Sequence, residues 1–151
     1  MQTKYKYHKD GSLPQDNFEI FVFGSNLAGI HGAGAAKIAK DLFGRPYGTP
    51  FGLIHNNERK YGRYFASYGI PTKDSDLRTI DLVRIKQYVE SLRELIIQDL
   101  EESSSGGEMK WFFTRIGCGL AGYKDEQIAP MFENFPFPCN FPIEWKQYLE
   151  R

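Results

Sequence analysis

Apolar and polar positions along this chain switch between two periods, and the switches mark its elements. FEIFVFG, Phe18 to Gly24, is a continuous apolar run of β-branched and aromatic residues stopped by glycine, which predicts a buried strand. AAKIAKDLFG follows, with Ala35, Ile38, Ala39 and Leu42 at helical spacing and Gly44 as its end. YFASYGI, Tyr64 to Ile70, predicts a second strand, stopped by Pro71. TIDLVRIKQYVESLRELIIQDLEE keeps Val83, Tyr88, Val89, Leu92, Leu95, Ile96 and Leu100 on one face of a helix, with Thr79 as its N-cap and SSSGG as its end. MKWFFTRI predicts a third strand. Asp125 can cap a further helix, with Ile128, Met131, Phe132 and Phe135 facing inward, and a last short strand falls around Cys139 to Ile143.

Two segments lack such periods. Residues Met1 to Asn17 are polar and predict a frayed arm or a weak edge strand before a single domain spanning residues 18–151. Arg45 to Arg63 is rich in glycine, proline and aromatics and reads as one long loop, a length that points to function or mobility. Strands alternating with helices imply an α/β fold, with a largely parallel sheet covered on both faces. Ligands of such sheets sit beyond the carboxyl ends of the strands. Three loops leave strand ends here: SNLAGIHGAG, PTKDSD and GCGLAGYKD. All three should gather at one rim.

Composition narrows the options. The chain has 151 residues, enough for one domain with its own core, and a formal net charge of zero, which speaks against nonspecific binding to a long polyanion. A local basic patch beside a small anion remains open, from Lys40, Arg45, Arg59, Lys60, Arg63 and Lys73, as does ordinary solvated surface charge. Cys118 and Cys139, with a polar start MQTKYKYHKDG, fit a cytoplasmic protein with reduced thiols. No apolar run reaches the roughly 20 residues of a membrane span. The two cysteines and scattered histidines lack metal-ligand spacing, so neither a metal nor another cofactor is expected.

The loops carry the candidate chemistry. Gly24, Gly29, Gly32 and Gly34 precede a helix whose unpaired N–H groups could cradle a phosphate; close packing alone would also favour glycine there. The second glycine loop, IGCGLAGY, could grip the other side of a pyrophosphate, with Tyr123 over a sugar or base, or half-buried as an ordinary aromatic. Asn26 could hold a ribose hydroxyl or cap its loop; His31 could touch a phosphate or cap the helix. Lys73 could act as nucleophile or base, or be a surface lysine. Asp74 could be an acid, a hydroxyl ligand or a turn residue. Cys118 with His31 could form a cysteine nucleophile pair, although a small buried thiol fits its glycine flanks better.

Together, GAGAAKIAKDLFG from Gly32, IPTK ending in Thr72 and Lys73, and TRIGCGLAGY through Gly117 to Gly119 resemble the macro domain over Phe18 to Phe135. The likeness is to the branch of terminal ADP-ribose glycohydrolases and DNA ADP-ribosyl glycohydrolase antitoxins, and to small macro-like proteins of phages and bacteria. It implies a three-layer α/β/α sandwich with a mixed, mostly parallel sheet and an ADP-ribose cleft. The ligand contacts it implies are Ser25, Asn26, His31, Gly32, Ala33, Gly34, Thr72, Gly117, Cys118, Gly119, Leu120, Ala121, Gly122 and Tyr123. Lys73 would attack the distal ribose, with Asp74 as a further catalytic candidate. Where the terminal glycohydrolases carry a resolving aspartate after G-C-G-L, this chain has Ala121. The implied partner is an ADP-ribose-type nucleotide or an ADP-ribosylated substrate, with nucleic acid only as such a substrate. An ADP-ribosyl glycohydrolase and a non-catalytic ADP-ribose reader or sponge are the two expected functions; oligomeric state stays open.

Overall fold

The computed structural model describes residues 3–15, 19–60, 63–102 and 109–151, with only the backbone for 56–60 and 63–65. Phe18, the SSSGG stretch and the Arg59, Lys60 and Arg63 side chains named above lie outside the described residues. In chain order the elements are β1 (Lys6–His8), β2 (Glu19–Asn26), α1 (Gly34–Phe43), β3 (Gly52–Lys60), β4 (Arg63–Lys73), α2 (Leu82–Glu102), β5 (Lys110–Phe113), α3 (Asp125–Ile128), β6 (Cys139–Pro142) and α4 (Lys146–Leu149). Short 3-10 turns precede α4 and follow α3. The six strands form one sheet in the order β1-β6-β5-β2-β4-β3. Every pairing is parallel except β3 against β4.

β2 is central because both its faces are apolar. Ile20 and Val22 join the core formed by α2, β5 and the C-terminal elements, while Phe21 and Phe23 pack with Ala36, Ala39 and Phe43 of α1. Alternation on a strand buried on both sides thus assigns one set of side chains to each face. Helices cover both faces, which makes the expected three-layer sandwich. On the C-terminal side, Phe113, Phe132, Phe135, Phe141 and Trp145 stack and cross one another, with Phe113 and Phe141 ring centroids 4.5 Å apart. The polar arm joins the sheet: β1 pairs with β6, Tyr5 is buried, and its hydroxyl donates to the Phe135 carbonyl.

Five local expectations change. Pro71 does not stop β4, which runs on to Lys73; its ring lies level with Ser25 as β2 reaches a register shift. The long loop is half strand, since residues 52–60 return along β4 as an antiparallel hairpin arm. Thr79 does not cap α2; the Asp81 carboxylate accepts the Arg84 N–H instead, and the Thr79 hydroxyl donates to the Ala121 carbonyl. Asp125 opens α3 from inside its first turn, because Arg115 and the Trp145 indole N–H draw its carboxylate away from the helix end. Val83 lies outside the packed face of α2 and is 70% exposed, whereas Ile85 is buried there.

The remaining loop, Pro46 to Phe51, is held by a buried cation. Arg45 donates from Nε to the Thr49 carbonyl and from Nη1 to the carbonyls of Gly52 and Ser67. Its guanidinium lies over the Phe23 ring, and burial pulls its pKa down to about 10. The loop backbone then passes so close to β4 that a Cβ on Gly69 would collide with the Pro50 carbonyl oxygen and press on Arg45. Gly69→Ala is therefore expected to lose roughly 2–3 kcal/mol of stability in urea unfolding, since neither neighbour can move without breaking these bonds. An unchanged midpoint would show that the loop is not fixed by this contact.

Candidate functional site

Parallel pairing of β2 with β4 on one side and β5 on the other aligns three carboxyl ends. Val22 is level with Tyr68 and Phe113, and Asn26 is level with Lys73. The loops that leave these ends enclose a cavity of about 610 Å³, within the usual range for small-molecule sites. Its walls come from Gly24–Asn26 and Gly32–Ala36 on one side, Thr72, Lys73 and Leu77 on another, and Thr114–Ala121 on the third. Asp10, from the loop after β1, completes the rim.

The first wall is built of backbone. Ala33, extended at φ −153°, is the N-cap of α1 and supplies no side-chain cap, so the N–H groups of the first turn face outward unsatisfied. Gly34 opens the helix at φ +56°, a conformation that favours glycine, and neither it nor Gly32 has a close neighbour where a side chain would begin. Gly29 serves the fold instead: its Cβ would lie 2.6 Å from the Gly48 Cα, and its carbonyl accepts the Gly48 N–H.

The opposite wall is also backbone. A turn from Gly117 to Tyr123 is closed by the Tyr123 N–H on the Gly117 carbonyl and the Gly122 N–H on the Gly119 carbonyl. Among the described residues, the N–H groups of Gly119, Leu120 and Ala121 bond to no carbonyl. Gly117 sits at φ +77° against Ile128, while Gly119 has open space around its missing Cβ. Two segments with unpaired donors therefore line one cavity, which suits an anion larger than a single phosphate.

Side chains lock this frame. The Ser25 hydroxyl donates to the Pro50 carbonyl, and Thr72, buried, donates to the Ser25 carbonyl. The Asn26 amide closes its own loop, accepting from the Ile30 N–H and donating to the Ile30 carbonyl. Lys73 is half-buried; its ammonium group has no hydrogen bond or ion pair among the described residues and is the one unpaired cation of the cavity wall. Arg115 donates twice to Asp125, the shorter bond 2.6 Å, and once to Asp10, so its charge is spent. Burial pushes the Asp125 carboxyl up, but bonds from Arg115 and Trp145 outweigh it and hold it below the usual carboxylate range.

Several residues singled out in the sequence stand elsewhere. His31 is fully buried outside the cavity, edge-on to Phe23 and stacked with Tyr47; burial, then the Arg45 charge, lowers its pKa and keeps it neutral. Asp74 accepts the N–H groups of Asp76 and Arg78 and is a turn residue outside the cavity wall. The Tyr123 hydroxyl donates to the Ile80 carbonyl, and neither Tyr123 nor Gly122 reaches the wall. Of the expected basic patch, Arg45 is buried, and Lys40 bonds Asp41 and the Tyr47 hydroxyl. Cys118 lines the cavity, but burial first, and the nearby Asp125 charge second, push its thiol up to about 12. With His31 outside the cavity and no thiolate near neutral pH, a cysteine hydrolase is not built here. Asp10, Ile30, Leu77 and Arg115 also join the wall; Ile30 and Arg115 lie within the two glycine-loop segments, but none of the four residue types signalled a site of its own.

No protein-family model matches the sequence, and no curated protein matches it. Solved structures do match. The macrodomain of Mycobacterium tuberculosis DarG superposes with a TM-score of 0.62 at 16% identity, over 91% of this chain and 98% of that one. The macrodomain of Thermus aquaticus DarG gives 0.60 at 15% identity, over 91% and 96%. Thermosipho africanus DarTG in complex with ADP-ribose gives 0.54 at 17% identity, over 85% of this chain and 39% of that one. The chain has the macrodomain fold.

Two measurements check the electrostatics of the site. Because the folded-state pKa of Asp125 is depressed, the stability it contributes is present above the unfolded carboxylate value and lost as pH falls through the folded one. Asp125→Asn should cost about 2 kcal/mol near neutral pH and show a flatter decline in stability from pH 7 to pH 3 than the unaltered protein. Parallel curves would contradict the pairing. Cys118 in the folded protein should react with iodoacetamide at pH 8 at least about tenfold more slowly than a free thiol; equal rates would contradict its environment.

Proposed function

We propose that this protein binds an ADP-ribose-type nucleotide in the cavity and cleaves an ADP-ribosyl linkage with Lys73. The observation that carries the binding is the pair of unpaired backbone N–H sets, at Ala33–Ala36 and Gly119–Ala121, both lining one cleft. A diphosphate presents acceptor oxygens on both sides and suits donors on two walls; a single side-chain cation does not neutralise it, and the helix N-terminus and the turn amides share that work. The ADP-ribose in the Thermosipho africanus complex and the resemblance of the glycine loops both support this reading.

In the catalytic step the Lys73 amine attacks the anomeric carbon of the distal ribose. A carbon–nitrogen bond forms as the bond to the attached group breaks; that group leaves with the electron pair and takes up a proton. Water then displaces lysine, releasing ADP-ribose and restoring the amine. Such a mechanism gains from an acid or base near the ribose. The acids that could have served are committed: Asp74 to its turn, Asp125 to Arg115 and Trp145, and Asp10 to Arg115. Ala121 stands where the resemblance puts the resolving aspartate of the terminal glycohydrolases. That absence favours a second reading, a non-catalytic reader or sponge that holds ADP-ribose-containing molecules without turning them over.

One pair of variants separates these. Gly119→Glu has room for its side chain and an ordinary backbone conformation, so it should fold normally. It should abolish ADP-ribose binding in calorimetry by placing a carboxylate in the diphosphate site; undiminished binding would remove the site. Lys73→Ala should keep ADP-ribose affinity within about threefold while abolishing release of ADP-ribose from modified DNA, protein or small conjugates. If the unaltered protein binds ADP-ribose but turns over none of them, the reader function stands in place of the enzyme.

A further inference from the structure

We infer that Leu77 is a substrate-positioning side chain, the apolar wall against which the distal ribose of the ligand is held beside Lys73. The inference rests on the ADP-ribose reading of the cavity and concerns a residue with no part in any sequence motif.

The starting point is a conflict between the turn and its sequence. After β4, the Asp74 N–H donates to the Arg78 carbonyl, the Leu77 N–H donates to the Asp74 carbonyl, and Lys73 bridges antiparallel to Thr79. This is a tight hairpin whose fourth loop residue must turn left-handed, a position that glycine or asparagine fills without strain. The chain places leucine there, at φ +63°. Among the described residues it is the one non-glycine residue with positive φ. The turn holds it firmly: the Asp74 carboxylate accepts from two of its N–H groups, and Thr79 at its base is bonded to the Ala121 carbonyl on the opposite wall.

Burial does not explain the leucine. The residue is 47% exposed, so the core gains little from it, yet it lines the same cavity as Lys73, four residues further along the chain. A strained backbone carrying a half-exposed apolar group at the edge of a ligand cavity gains its purpose when the ligand covers that group. Leu77 also lies on the β4 side of the cleft, with β2 between it and the Asp10–Arg115 rim on the β5 side. It therefore belongs to the Lys73 end of an extended ADP-ribose and not the other end. An aliphatic wall there packs on the carbon face of a sugar and limits water around the anomeric centre, while a charged or long polar residue would compete for the diphosphate donors.

The test compares the unaltered protein with Leu77→Asn and Leu77→Gly, both suited to the left-handed turn. Thermal melting is measured without ligand, and calorimetry is run with ADP-ribose and with ADP, which lacks the distal ribose. Both variants should melt no lower than the unaltered protein. ADP-ribose should bind about tenfold more weakly, as expected for losing one ligand-covered aliphatic contact, while ADP affinity stays within about twofold. The inference is overturned if ADP-ribose affinity is unchanged, if ADP and ADP-ribose weaken together, or if both variants melt several degrees lower, which would make Leu77 a residue of the fold. If the unaltered protein binds neither nucleotide, the ADP-ribose reading itself falls and takes this inference with it; normal binding by all three proteins removes the inference alone.

Discussion

Everything at the cavity depends on β2 being paired in parallel on both sides. With Phe21 level with Ser67 on β4 and with Phe112 on β5, three strands finish at one edge, and loops remote in sequence have no other place to go. That register is fixed by burial on two faces: a one-residue slip would send Ile20 and Val22 to the face of α1 and drive Phe21 and Phe23 into the opposite core. The cavity is therefore a consequence of core packing, and the loops need only avoid filling it. Gly34 and Gly119, with open space where a side chain would begin, and Gly32, with only the Ile30 side chain near that point, do so.

Around this frame the polar residues divide their work. Most are occupied in holding backbone: Arg45 under the Pro46–Phe51 loop, Asn26 on its own turn, Asp74 on the hairpin, and Asp125 between Arg115 and Trp145. The Arg45 and Asp125 bonds are partly shielded from water and the stronger for it, while those of Asn26 and Asp74 are exposed; all of them occupy groups that would otherwise be free for chemistry. What remains unspent is a set of backbone N–H groups and one lysine. Under the proposed function, such a site holds a diphosphate on its backbone donors and leaves the lysine as its one group for chemistry.

The sequence was most legible where one physical rule acted alone. Continuous apolar runs located β2, β5 and most of β4, and glycine after an amphipathic segment located the end of α1, where Gly44 is left-handed at φ 68°. It was least legible where tertiary contacts overrode local preference. Pro71 reads as a stop, yet β4 continues because its neighbours on β2 carry the pairing past it. Residues 52–60 look irregular because their role is to return along β4, not to follow an apolar period. In the site, the glycine loops and the Thr72–Lys73 pair announced themselves through residue types that free the backbone or carry charge. His31 and Tyr123 have the same chemical promise but are turned into the packing, which only the loop path over His31 and the Ile80 carbonyl near Tyr123 determine. Leu77 was invisible, since its meaning lies in a backbone angle that its side chain should discourage.

The central claim is that two backbone walls act on one ligand together. Amide chemical shifts of the nitrogen-15-labelled protein, followed during an ADP-ribose titration, test it most directly. The N–H signals of Ala33 to Ala36 and of Gly119 to Ala121 should move in step and saturate along one common curve. Movement confined to one of the two segments, or curves with different midpoints, would contradict it.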